Sequence, residues 1–155
     1  MNKPLLLAAL AAVTLAAPAR ATDESDAVAP IAQFIDGFNK GDAKAALAAC
    51  ASPVVIIDEF APYLWQGASA CADWANDFDA DAKKNGITDG FVKLSKPRHV
   101  FVAGDRAYVV VPTAYDFKRN GKKVSQKDAT MAVTLQKGST GWKITGWAWA
   151  TGKTK

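Results

Sequence analysis

The side chain in this sequence best placed to do chemistry is Asp58. It closes the run Val54-Val55-Ile56-Ile57, whose branched side chains are stiff at χ1 and read as a strand. Alternation sets Asp58 on the same face as Val54, Ile56 and Phe60. If that face lines a pocket, the carboxyl sits in apolar surroundings, where desolvation raises its pKa and suits it to proton transfer. The single histidine, His99, lies in Arg98-His99-Val100-Phe101-Val102, on the face of Phe101. It reads more simply as a hydrogen-bonded structural residue than as a catalyst, although histidine as a residue type is the usual proton carrier near neutral pH. One histidine and two distant cysteines offer no metal site. Nothing resembles a glycine-rich phosphate loop or a serine nucleophile elbow, and no cofactor is implied.

Cys50 and Cys71 have two readings. As a disulfide they would stabilise the fold by roughly 3 kcal/mol in the loop-entropy model; as free thiols they would be ordinary small core residues. The start of the chain favours the disulfide. Lys3 precedes the apolar run Leu5 to Ala17, which ends in Ala19-Arg20-Ala21, the pattern of a secretory leader with an A-x-A cleavage site. That run is shorter than the ~20 residues a membrane span needs. Residues 1–21 are therefore expected to be a signal peptide and residues 22–155 an exported domain, periplasmic or secreted, with no membrane association after cleavage. Removing Lys3 and Arg20 lowers the basic count from 19 to 17 against 15 acids. A net charge of +2 is too small to imply a nucleic-acid partner. Lys118, Arg119, Lys122, Lys123 and Lys127 surround Asn120-Gly121, a hairpin signal whose solvated tip accounts for them.

The elements that must position Asp58 follow from periodicity. Ile31, Phe34, Ile35 and Phe38 repeat at helical spacing, Asn39-Lys40-Gly41-Asp42 ends that helix, and Ala43 to Cys50 forms a second. The strand ending at Asp58 comes next, then a third helix from Ala68 to about Lys84, with Ala72, Ala75, Phe78 and Ala82 on its apolar side. Val92 to Val102, Arg106 to Lys118, Lys122 to Gln136 and Trp142 to Trp149 alternate as four strands joined by tight turns. The order α-α-β-α-β-β-β-β predicts an α+β fold with helices on one face of a curved antiparallel sheet. The last strand is apolar on both sides, Trp147 and Trp149 on one and Trp142 and Ile144 on the other, so one face suits the helices and the other a dimer partner.

The helix holding Phe34, the Asn39-Lys40-Gly41-Asp42 turn, the strand ending at Asp58, the Trp65-Gln66-Gly67 step and the closing Trp142-Lys143-Ile144 strand together resemble the nuclear transport factor 2-like superfamily. That group includes SnoaL-like polyketide cyclases and ketosteroid isomerases. The resemblance implies a cone-shaped fold with an apolar pocket between helices and sheet, and a homodimer through the sheet; the fold alone settles no function. Counted from Gly41-Asp42, the carboxylate that is the general base in ketosteroid isomerases falls on Asp58. The tyrosine of that mechanism falls on Phe34 and its second acid near Met131, with Asp128 on the opposite face. Loss of one such donor costs on the order of 10² to 10³ in rate, so the isomerase scheme is disfavoured. The Arg and Asp two residues apart that epoxide hydrolases of the group use are absent.

The expected pocket lining is Phe34, Phe38, Ile56 and Phe60, with Tyr63, Trp65 and Trp74 at the entry to the third helix and His99 and Tyr115 from later strands. Tyr63, Trp65 and Trp74 serve equally as core packing. Two functions remain: a module binding a small apolar or amphipathic molecule, or serving as a dimeric scaffold, without turnover; and a SnoaL-like isomerase or cyclase with Asp58 as base and donors drawn from Tyr63, Trp74, His99 or Tyr115.

Overall fold

The computed structural model describes residues 17–154, with side chains from Asp23 onward. Most of the expected signal peptide lies outside the described residues, and residues 17–21 continue the backbone of the first helix.

Helix α1, Ala17–Lys40, buries Ala27, Ile31, Phe34 and Ile35 on one stripe. Its Gly37 admits the neighbouring helix, since a Cβ there would stand 2.6 Å from the backbone nitrogen of Ala46. Gly41, at φ 66°, ends it. Asp42 then caps α2, Ala43–Ala48, by accepting from the Ala45 N–H at 3.0 Å. Strand β1, Cys50–Ile57, is followed by β2, Leu64–Gly67, and α3, Ala70–Lys84. Then come β3 (Ile87–Leu94), β4 (His99–Ala103), β5 (Arg106–Arg119), β6 (Lys122–Gly138), β7 (Gly141–Ala150) and the short β8, Lys153–Thr154. Asn120 and Gly121, at φ 50° and 78°, make the β5–β6 turn. Cys50 and Cys71 are bonded, tying the start of β1 to the first turn of α3.

The sheet runs β2-β1-β7-β6-β5-β3, with β4 also on β5 and β8 on β6. Helices α1 and α3 lie against it, and the core between them holds Ile31, Phe34, Val54, Ile56, Val109, Val133 and Ile144.

Five expectations need correction. The sheet is mixed, because β1 pairs with β7 in parallel, a contact across more than ninety residues that local turns do not encode. The single strand expected over Val92 to Val102 is two, parted around Pro97, which has no N–H to give a ladder. Strand β5 is long enough to serve both, pairing β3 with its second half and β4 with its first. Leu64–Gly67, read as a link, pairs antiparallel with β1. The helix expected from Ala43 to Cys50 stops at Ala48, and Cys50 opens β1; beyond the strands expected, Lys153–Thr154 adds a short edge on β6.

Candidate functional site

Between helices and sheet lies a cavity of about 330 Å³. Its walls are mostly aromatic: Phe34 and Phe38 from α1, Trp74 and Phe78 from α3, Tyr115 and Phe117 from β5, Trp147 and Trp149 from β7, and Phe60 just after β1. These rings brace one another. Trp74 meets Trp147 edge-on at 5.0 Å and Phe78 at 5.5 Å between centroids, and Phe38 meets Phe78 at 5.1 Å. Such offset and edge geometries add to the apolar burial and leave ring faces turned into the space at several angles.

Asp58 enters this cavity where β1 ends. The chain turns there because the Asp58 N–H donates to the Tyr63 carbonyl and the Tyr63 N–H to that of Phe60. The carboxylate accepts from the Glu59 N–H at 2.7 Å and from Trp74 Nε1 at 2.9 Å. Burial pushes the Asp58 pKa up to about 6; its two hydrogen bonds oppose that rise and the Glu59 charge adds to it.

Glu59 lies at the rim. It accepts from Gln126 Nε2 at 2.9 and 3.0 Å and from the Thr151 hydroxyl, and Gln126 Oε1 accepts from Trp149 Nε1 at 3.1 Å. Gln126 is buried and reaches the cavity through a bulge. Opposite β5, Thr113 pairs with Ala129 but Tyr115 pairs with Gln126, so Lys127 and Asp128 share one place and Asp128 takes φ 58°. The extra residue lets Gln126 and Met131 face the same way although five positions apart.

Tyr115 is 9 % exposed, and its hydroxyl has no hydrogen-bond partner among the described residues. The hydroxyl packs over Gly90, where a Cβ would stand 2.6 Å from it. Burial, with the charges of Glu59 and Asp58 behind it, pushes the Tyr115 pKa up to about 12. Among the described residues no group of three or more His, Cys, Asp or Glu is gathered for a metal ion.

Of the residues expected to line a pocket, Asp58, Phe34, Phe38, Phe60, Trp74 and Tyr115 do meet around this cavity. Ile56 and Trp65 are buried beneath it instead, the Trp65 indole donating to Asp77 at 2.8 Å. Tyr63 and His99 are corrections. Tyr63, in the positive-φ region at 71°, is turned outward and 60 % exposed. His99 is exposed on β4 and stacks on Phe101 at 5.7 Å, on the far side of the sheet. Phe78 was legible as a partner of Trp74 one turn earlier on the same helix face. Met131, which stands near the position of the isomerases' second acid, also lines the cavity. Glu59 and Gln126 carried no sequence signal, since the bulge that joins them is a tertiary feature.

No protein-family model and no curated protein matches the sequence. Solved structures do match the fold. A ketosteroid isomerase-like protein from Erwinia carotovora atroseptica is 16% identical, with 83% of this chain and 95% of that one covered at a TM-score of 0.63. An NTF2-like protein with a cystatin-like fold from Novosphingobium aromaticivorans is 20% identical over 88% of this chain and 87% of its own, TM-score 0.69. An NTF2-like superfamily protein from Salmonella enterica serovar Typhimurium is 16% identical over 86% and 94%, TM-score 0.71. The likenesses establish the fold, and function has to be argued from the site.

Proposed function

We propose that this chain, built on the nuclear transport factor 2-like fold, binds a small apolar or amphipathic molecule in the cavity, with Asp58 engaging the polar part of the ligand. The observation that carries this reading is a carboxyl raised to about pH 6 in a wall made of aromatic rings. Burying such a group costs stability, and a ligand that engages it recovers part of that cost. The five indole N–H signals provide the test. Titration with a neutral apolar probe, N-phenyl-1-naphthylamine, is expected to move the signals of Trp74, Trp147 and Trp149, which line the cavity, and to leave that of Trp142, which does not. Unmoved signals, or equal movement of Trp142, would sink the proposal.

A second reading is a proton-transfer enzyme of the isomerase or cyclase type, with Asp58 as general base. It is favoured by the same raised pKa together with the unpartnered Tyr115 hydroxyl in the cavity wall. Against it, Trp74 already spends its N–H on Asp58, and Phe34 and Met131, both in the lining, stand where the isomerases carry their donors. Binding therefore remains the leading reading.

Action as a homodimer joined through the sheet, in an oxidising compartment outside the cytoplasm, completes this proposal. The Cys50–Cys71 disulfide and the leader-like first residues support export. No helix among the described residues is long and apolar enough to cross a membrane. For the dimer, the support is a row set by the strand register across six strands: His99, Val110, Ala132, Ala148, Ile57 and Leu64. Phe101 and Tyr108, paired beside this row, are exposed. An apolar face of this kind is self-complementary about a two-fold axis. Light scattering is expected to give twice the chain mass for the wild type and the single mass for Phe101→Glu/Tyr108→Glu. A monomeric wild type would refute the dimer.

A further inference from the structure

Acids outnumber bases in the cavity lining by three to one. Asp58, Glu59 and Asp81 are the acids of the lining, and the basic side chain is Arg119, which is exposed and lies over the Phe117 ring at 5.4 Å. None of the ion pairs among the described residues involves Asp58, Glu59 or Asp81. Partly buried carboxylates are ordinarily matched by a neighbouring cation or by hydrogen bonds. Here Asp58, which is half-buried, has two N–H donors, and Glu59, which is exposed at the rim, has Gln126 and Thr151, all of them uncharged. The negative field reaches across the cavity, since both acids act on the Tyr115 hydroxyl.

The aromatic walls select for the same sign. A ring face is the negative end of its quadrupole and attracts cations within about 6 Å of its centre. Phe34, Trp74 and Trp147 lie 5.0 to 5.9 Å from one another at interplanar angles of 44° to 87°. Trp74 also donates to Asp58, which places this packed ring cluster beside the carboxylate. Tyr115, a buried residue, adds a hydroxyl whose oxygen has lone pairs to offer an N–H.

We propose that the cavity selects an organic cation, a protonated or alkylated amine carried on a compact apolar body. The ammonium would sit between Asp58 and the faces of Trp74, Phe34 and Trp147, and the apolar body among the remaining rings. This deepens the binding reading and rests on it.

Three probes of matched shape separate the two claims. Benzyltrimethylammonium, its uncharged carbon isostere neopentylbenzene, and the anion phenylmethanesulfonate would be titrated at pH 7.5 against the wild-type protein and followed by the indole signals of Trp74 and Trp147. The cation is expected to bind about tenfold more tightly than the isostere, and the anion most weakly. Asp58→Asn is expected to remove most of the preference for the cation over the isostere while the isostere still binds, and Glu59→Gln to reduce it less. Equal binding of cation and isostere, or a lead for the anion, would overturn the charge selectivity and leave a binding cavity standing. Failure of all three to move the cavity indoles would overturn both.

Discussion

Asp58→Asn is expected to be more stable than the wild type at pH 7.5, by about 1–2 kcal/mol, and to bind ligand less selectively. The folded-state pKa of Asp58 is raised from 3.8 to about 6. Below about pH 4 the carboxyl is protonated in both folded and unfolded chains and imposes no penalty. As pH rises through 4 to 6 the unfolded chain releases its proton first, so the stability associated with the protonated form is lost and stays lost above about pH 7. A shift of about two units corresponds to about 3 kcal/mol. Asparagine cannot ionise and avoids that penalty. It satisfies one of the two donors at Asp58 and meets the other with an N–H, which returns about 1–2 kcal/mol of cost. Asp116, whose pKa its hydrogen bonds to Lys93 and Ser125 hold low, contributes a pH dependence of the opposite sign in both proteins. Subtracting the two stability curves therefore isolates Asp58. Urea unfolding at pH 4.5 and 7.5 measures this; a variant less stable than wild type at both values would mean that the ionised carboxylate is already well accommodated.

Breaking the Cys50–Cys71 bond is expected to have the largest effect on the fold itself. The bond spans 21 residues, and closing a loop of that length in the unfolded chain corresponds to about 3 kcal/mol. It also holds the first turn of α3 against β1, three residues before Trp74, so it secures the wall that donates to Asp58. Reduction, or Cys50→Ala/Cys71→Ala, is expected to cost about 3 kcal/mol in urea unfolding, with Tm falling by about 10 °C. Coincident transitions with and without reductant would show that packing alone sets the position of α3.

The parts of this fold that local chemistry dictates were legible. Phe34 and Phe38 declared a helix face, Asn120-Gly121 a hairpin, Cys50 and Cys71 a staple, and Val54 to Ile57 a strand delivering Asp58 to an apolar face. What the sequence did not reveal depends on contacts between distant segments. The parallel pairing of β1 with β7 is one case. Another is the Lys127–Asp128 bulge, which shifts the alternation of β6 by one residue and turns Gln126 inward to reach Glu59. Tyr63 shows the same limit on a smaller scale: its positive φ, not the pattern around it, turns the ring away from the pocket its neighbours suggested. His99 sits in a strand with apolar residues on both sides, and only the register of β4 on β5 decides which face is which. The candidate site was thus half readable, its carboxylate and several rings from pattern, its rim network only from the tertiary structure.

The central claim is that a desolvated carboxylate stands in an aromatic ligand cavity, and the carboxyl-carbon NMR titration of Asp58, assigned with Asp58→Asn, tests it most directly. The midpoint is expected near 6 in the free protein, falling when benzyltrimethylammonium saturates the site. A midpoint at or below 4 in the free protein would contradict it, because Asp58 would then be a solvated or fully hydrogen-bonded carboxylate with no reason to seek a ligand.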